Sequence, residues 1–311
     1  MSLLNYLNRP EYIFRPLQIY RKILHSYNQP ENQFKNILLP WNISIKVCPS
    51  STEVVGRSLW AMGIYDLVVT ESLWRLIDSG ETAVDVGGNI GYMTAIMAKR
   101  VGKAGKVWCF EPNPDVYEEL LDNLKNWEET LGWYQIKAQK IALSNQSGMG
   151  VLRIPMRNRE EASLASPQEV MTIQENETLY KNYTVSLARL DEILNIDDLI
   201  GVMKIDVEGH ELAVLHGATQ LITKQRIRDI IFEDHKGYPS PVSQFLEQQG
   251  YTVFRIWKGF WKPLLEPANK KLLHPWEPPS YLATLDVPRT LERFKKRGWN
   301  SLKSNKEKQV E

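Results

Sequence analysis

Cysteine is nearly absent from this chain: Cys48 and Cys109 are the two among 311 residues. Two thiols cannot build a disulfide framework or a Cys-rich zinc site, and their scarcity fits a reducing, cytoplasmic setting. An excess of charge is missing too. Thirty-eight Lys plus Arg face 37 Asp plus Glu, a formal charge of +1, so the basic surface that nucleic-acid binding requires is not there. No run of 18 apolar residues occurs, and polar residues interrupt every apolar stretch near the N-terminus. That leaves no candidate membrane span and no cleavable signal. Internal repeats are lacking as well. What is there, 43% apolar and 24% charged residues, is the make-up of a globular chain, long enough for one large α/β domain with extensions.

Prolines 10, 16, 30 and 40 punctuate an irregular or helical lead-in, and Ile43 to Val47 alternates as a short strand. Residues 1–69 read as an N-terminal extension. From residue 70 to 286 the pattern is regular. Leu73, Leu76 and Ile77 around Trp74 predict a helix ending near Gly80. Strands are expected at 82–86, 106–110, 134–143, 200–205, 230–232, 252–256 and 281–285, with helices over 92–100, from Asn113–Pro114 through Trp127, from 212 to 222, and over 242–249. Val151 to Ile154 is expected to pair with Tyr183 to Leu187 as an antiparallel excursion, with a polar surface loop over 157–180 between them. Such alternation implies an α/β fold, a parallel sheet covered on both faces. The Trp/Pro-rich stretch 257–279 reads either as an aromatic lid or as a rigid loop pinned to the core by its tryptophans. The basic run 287–311 reads as a solvated helix and frayed tail.

Ligands of open α/β sheets sit beyond the carboxyl ends of the strands, and polar residues collect there strand after strand. The first strand runs into Asp85-Val86-Gly87-Gly88-Asn89-Ile90-Gly91, the second into Glu111-Pro112, the fourth into Lys204-Ile205-Asp206-Val207-Glu208-Gly209-His210-Glu211 and the fifth into Glu233-Asp234-His235. A dinucleotide fingerprint would need glycine at positions one, three and six; from Gly87 those hold Gly87, Asn89 and Tyr92. No Gly-Lys-Ser/Thr follows either, so a phosphate-cradling loop is excluded. A small-residue turn with Asp85 before it suits a cationic, amino-acid-bearing nucleoside such as S-adenosylmethionine, whose carboxylate can take backbone N–H groups. A carboxylate at Glu111 can accept hydrogen bonds from both ribose hydroxyls.

These strings, with Phe110-Glu111-Pro112-Asn113-Pro114 and Val214-Leu215-His216-Gly217-Ala218, resemble the FkbM family of S-adenosylmethionine-dependent methyltransferases over roughly residues 70 to 260. The resemblance implies a class I methyltransferase (Rossmann-like) fold with a seven-stranded, mostly parallel sheet whose last strand is antiparallel. It also implies O-methylation of a hydroxyl on a small metabolite, sugar or glycan. Gly88 departs from it, since the family often has Ala there. Carried over, Asp85, Gly87, Asn89 and Gly91 match the cofactor loop and Glu111 the ribose acid. Ile141 and Ala142 fall near the adenine, and Glu71 closes over the methionine end.

Methyl transfer to oxygen calls for positioning and a base. Asp206, Glu208, Glu233 and His235 are the catalytic candidates. Asp206 is placed to touch acceptor or cofactor, and His235 is the better base by intrinsic pKa. The same four could hold a divalent metal, although their spacing demands none. His210 opens a helix, where capping or packing is the plainer role. Lys204, inside a strand, needs a carboxylate partner, and Cys109 reads as core. Two other functions stay open, a catalytically inactive nucleoside-binding protein of the same fold and an NAD-dependent oxidoreductase.

Overall fold

The computed structural model describes residues 10–11, 33–49, 53–165, 179–271 and 279–303. A hairpin of β1 (Lys35–Leu38) and β2 (Ser44–Val47) leads into α1 (Val54–Met62) and α2 (Leu67–Leu76). Then β3 (Thr82–Val86), α3 (Tyr92–Val101), β4 (Lys106–Phe110), α4 (Pro114–Leu131) and β5 (Ile136–Gln139) alternate. The excursion follows as β6 (Ala142–Leu143), β7 (Gly148–Pro155), β8 (Ser163–Leu164) and β9 (Tyr180–Ala188). Alternation resumes with β10 (Ile200–Ile205), α5 (Glu211–Gly217), β11 (Ile227–Glu233), α6 (Pro241–Gln248) and β12 (Thr252–Lys258). The described chain closes on β13 (Pro263–Pro267), β14 (Ser280–Thr284) and α7 (Val287–Lys295).

The large sheet has the order β13-β12-β14-β11-β10-β3-β4-β5. Its central strands β11, β10, β3, β4 and β5 run parallel, and β14 inserts antiparallel between β11 and β12. These are the seven strands the sequence implies, last strand reversed. The eighth, β13, comes from the Trp/Pro-rich stretch and pairs antiparallel with β12 at the far edge. Its flanks are pinned to the C-terminal segment: Trp299 Nε1 donates to the Phe260 carbonyl at 3.2 Å and Gly298 N–H to that of Trp261 at 2.8 Å. Trp276 falls outside the described residues.

Strand alternation divides the core between two faces. Ala83 and Val202 pack with Leu73, Ile96 and Trp127 on one side, while Val84 and Met203 pack with Val214, Leu215 and Leu246 on the other. Because both faces are covered, β10 is buried at all six positions, as parallel sheets require. The helix after β4 starts as expected: the Asn113 side chain accepts the Asp115 N–H at 3.1 Å, with Pro114 as first helical residue. The expected strand 134–143 divides. Ile136–Gln139 joins the large sheet, whereas Ala142–Leu143 pairs with β9. The excursion pairs as expected, β7 against β9 from Gly148↔Leu187 to Pro155↔Tyr180.

The basic run does not fray through its described part. On α7, Arg289 and Arg293 reach Asp78 at 2.8 and 2.7 Å and Phe294 is buried in the core, as is Trp299 beyond the helix. Residues 304–311 lie outside the description. Among the described residues no helix is long and apolar enough to cross a membrane.

Candidate active site

Strand order reverses at β3: the chain lays β4 and β5 on one side of it, then returns to place β10 and β11 on the other. Ligands of such sheets bind at this switch point, beyond the carboxyl ends. A cavity of about 530 Å³ opens there, within the range of small-molecule sites. Its wall includes Gly87, Gly88 and Asn89 after β3, Glu111 after β4, Ile141 and Ala142 after β5, Asp206 and Glu208 after β10, and Glu233 and His235 at the end of β11.

The turn after β3 is shaped by close approach. Gly87 has φ +79°, and a Cβ there would overlap the Asp206 carbonyl oxygen of the neighbouring strand end. A Cβ on Gly88 would overlap the Cys109 sulfur. The core cysteine behind Gly88 thus fills the space that an alanine methyl would need. Every N–H along the turn already has an acceptor. Gly87 and Gly88 both donate to the Phe110 carbonyl, Asn89 to Glu111 Oε2, Ile90 to the Asn89 side chain and Gly91 to the Gly88 carbonyl. The loop gives a ligand a surface to lie on, not the free donors expected for a carboxylate.

Glu111 is nearly buried and takes one backbone N–H on each oxygen, Asn89 at 2.9 Å and Asn113 at 2.8 Å. A carboxylate has about four acceptor positions, so each oxygen keeps one for a diol. Burial pushes its carboxyl up to about 7 against the pull of those two N–H groups.

Three expected cofactor residues lie elsewhere. Glu71 is fully buried in α2, where Oε1 accepts from Arg75 Nε at 2.8 Å and Oε2 from Ser301 N–H at 2.7 Å. It ties the C-terminal segment to the core, because helix phase turns it toward the residue four positions on. Asp85 is fully buried beneath the turn: Oδ2 accepts from the Thr94 hydroxyl at 2.6 Å, and Oδ1 faces Lys204 Nζ at 3.6 Å. Gly91, φ +95°, makes room for Leu120 and Trp127 at the start of α3. None of the three lines the cavity.

Lys204 is the buried lysine whose carboxylate partner the sequence demanded, and it has two: Asp206 at 3.2 Å and Asp85. It also donates to the Gly87 carbonyl at 3.3 Å, joining the ends of β3 and β10. Glu233 lies 2.5 Å from His235 Nε2, and His235 is two-thirds exposed. Burial first, then Asp206 and Asp66, pushes the Glu233 carboxyl up to about 9. Glu208, exposed at the mouth, has φ +53°. With Asp206 held by Lys204 and Glu233 by His235, the four do not assemble as metal ligands. Among the described residues no group of three or more His, Cys, Asp or Glu side chains is arranged to hold a metal ion. His210 precedes α5 without capping it; its Nε2 lies 2.9 Å from the Ser144 hydroxyl, and burial lowers its pKa.

The sequence missed one wall. Residues 158–162, expected in a surface loop, line the cavity together with Val54, Val55 and Tyr65. Glu160 accepts the N–H groups of Val54 and Val55 at 2.7 and 2.8 Å, satisfying the start of α1. Arg159 grips Glu119 of α4 through two hydrogen bonds and Glu53 at 3.0 Å. Only the acidic pair Glu160–Glu161 hinted at this, and its partners lie up to 106 positions away.

Comparison with known proteins follows the same outline. The chain is 28% identical over 198 residues to the hexuronic acid methyltransferase AglP of Haloferax volcanii, spanning 57% of this chain and 73% of that protein. It is 26% identical over 230 residues to the methyltransferase sdnD of Sordaria araneosa, spanning 65% of this chain and 86% of that one. A crystal structure of methyltransferase FkbM from Methylobacillus flagellatus KT aligns over 68% of this chain and 47% of its own length, with 14% identity and a TM-score of 0.44. The Methyltransferase FkbM domain matches residues 85–253, more than half of the sequence and from β3 into β12; the chain belongs to the FkbM methyltransferase family.

Proposed function

We propose that the protein transfers a methyl group from S-adenosylmethionine to a hydroxyl of a small metabolite, sugar or glycan. One observation carries this reading: a single cavity at the switch point has the Gly87 turn and Glu111 on one side and Asp206, Glu233 and His235 on the other. Apart from the methionine carboxylate, for which the turn leaves no free N–H, the cavity's chemistry fits the donor. Glu111 keeps acceptor positions for the ribose hydroxyls, Ile141 and Ala142 offer an apolar edge for the adenine, and the Asp206 carboxylate, one-third exposed, faces the cationic end. When bound, S-adenosylmethionine supplies an electrophilic methyl group on a positively charged sulfur. A sugar acceptor draws support from the Haloferax relative, a hexuronic acid methyltransferase by name.

The chain's part is to bind, align and accept a proton. Holding the acceptor oxygen in line with the methyl group is worth roughly 7–11 kcal/mol in favourable cases. Asp206 is fixed by Lys204 at 3.2 Å and so presents its carboxylate without rearrangement. Nδ1 of His235 takes the hydroxyl proton, while Nε2 stays hydrogen-bonded to Glu233, which orients the ring; such base catalysis contributes about 10²–10⁴-fold.

Calorimetry with S-adenosylmethionine, S-adenosylhomocysteine and NAD tests the reading. Both sulfur nucleosides should bind and NAD should not; the reverse pattern would support the oxidoreductase alternative. Glu111→Ala should weaken cofactor binding, while Asp206→Ala should lower turnover more than affinity. Binding without any methyl incorporation into cell extract would leave an inactive nucleoside-binding protein as the better account.

A further inference from the structure

Cofactor binding explains the charge on one side of the cavity better than on the other. Six carboxyl groups line it, Glu111, Glu160, Glu161, Asp206, Glu208 and Glu233, against two permanent cations, Lys204 and Arg159. Glu111 belongs to the ribose side, and a sulfonium nucleoside brings one net positive charge. The remaining acids follow β10 and β11 or come from the 158–162 wall, outboard of the cofactor turn. Burial first, then the charges of Asp206, Asp66, Glu160 and Glu233, pushes the Tyr65 phenol well up.

Neither cation is available to an incoming anion. Lys204 is held at 3.2 Å from Asp206 and 3.6 Å from Asp85, and its third direction goes to the Gly87 carbonyl. The Arg159 fork, which would grip a carboxylate or phosphate best, already places two nitrogens 2.5 and 2.9 Å from Glu119 and a third 3.0 Å from Glu53. The two imidazoles on the wall are engaged as well, His235 with Glu233 and His210 with Ser144.

We propose that the acceptor enters with its reactive hydroxyl on a part that carries no anionic group, and that a carboxylate, sulfate or phosphate on that part is rejected. This rests on the methyltransferase reading and narrows its substrate class. The specificity comes from what the wall lacks: an anion would give up water with no unengaged guanidinium or ammonium among the described wall residues to receive it, beside acids of which Glu111, Glu208 and Glu233 hold their protons to higher pH than usual. The acceptor of this chain then differs in charge from the hexuronic acid named for the Haloferax relative.

The test uses the full chain saturated with S-adenosylhomocysteine and three probes on one pyranose frame: methyl glucoside, glucosamine and glucuronate. In NMR titrations glucuronate should bind at least about tenfold more weakly than methyl glucoside, and glucosamine at least as tightly as methyl glucoside. Glu208→Lys places a cation at the exposed mouth and should narrow the glucuronate gap about threefold or more, with its melting curve recorded to show that it folds. Glucuronate binding as tightly as methyl glucoside, or three probes that cannot be told apart (no binding by any of them included), would overturn the proposal. Failure of S-adenosylhomocysteine itself to bind would instead remove the reading beneath it.

Discussion

The two rims of the large sheet both bury carboxylates beside cations, to opposite ends. At the amino-terminal rim the acids are matched. Arg228 holds Glu81 and Asp229, Arg289 joins Asp229 to Asp78, and Arg293 also grips Asp78. Arg75 pairs with Glu71 and gives its remaining N–H groups to the carbonyls of Arg293, Lys296 and Gly298. Partial burial works against the Asp78 charge, yet hydrogen bonds from Arg289 and Arg293 keep its carboxyl below the usual range. At the carboxyl-terminal rim the acids outnumber their partners and surround open space, and burial lifts Glu111 to about 7 and Glu233 to about 9. The same residue types lock the fold where each finds a guanidinium, and keep binding capacity where they do not.

Substitutions at the two rims should separate these roles. The largest effect on binding is expected from Gly87→Ala, which forces a side chain onto the Asp206 carbonyl in a left-handed backbone. S-adenosylhomocysteine affinity should drop at least about 100-fold by calorimetry. Glu71→Ala sharpens the contrast from the other side, because it strands the buried Arg75 guanidinium. Urea unfolding should show a loss of about 3–5 kcal/mol, while the folded variant keeps its nucleoside affinity. A variant with intact stability and poor affinity would return Glu71 to the site and break the division of rims. Gly88→Ala should cost about 1–3 kcal/mol through overlap with the Cys109 sulfur. Adding Cys109→Ala should recover most of that loss; a double variant no better than the single would mean that the sulfur is not what demands glycine there.

What was legible in the sequence follows the reach of the interactions. One side of the cavity could be read because its parts stand directly at strand ends: the Gly87 turn, Glu111 and Asp206 are placed on its wall by where strands stop. Asp85 was misjudged by two positions of that logic, since it lies within the strand and its side chain turns under the turn toward Thr94. Glu71 carried a local clue, a cation four residues on, which identifies a helix ion pair. The 158–162 wall and α7 were not legible, because Arg159 meets Glu119 forty positions away and Arg293 meets Asp78 more than two hundred away. Such pairings are set by how elements pack, and an irregular polar stretch has no periodicity to reveal its partner.

The smallest expected effect is also the most direct probe of the open rim. Burial raises the Glu111 carboxyl in the folded chain to about 7, against an ordinary 4.5. A raised acid pKa means that the folded chain binds the proton more tightly than the unfolded chain does. The associated stability is therefore present below about 4.5 and is lost as pH rises through 7. Ribose hydroxyls donate to the carboxylate, so ligand binding pulls the other way and favours the ionised form. Lowering the pH from 8 to 6 should thus weaken S-adenosylhomocysteine binding about tenfold, since at one unit below its pKa roughly nine-tenths of the group is protonated. Glu53, Glu208 and Glu233 titrate in or near the same range, so the comparison that decides is with Glu111→Gln. That variant should bind more weakly at pH 8 and show a nearly flat profile. An unchanged tenfold slope in the variant would move the titration to one of the other acids and leave Glu111 a packing residue, no different in kind from those of the opposite rim.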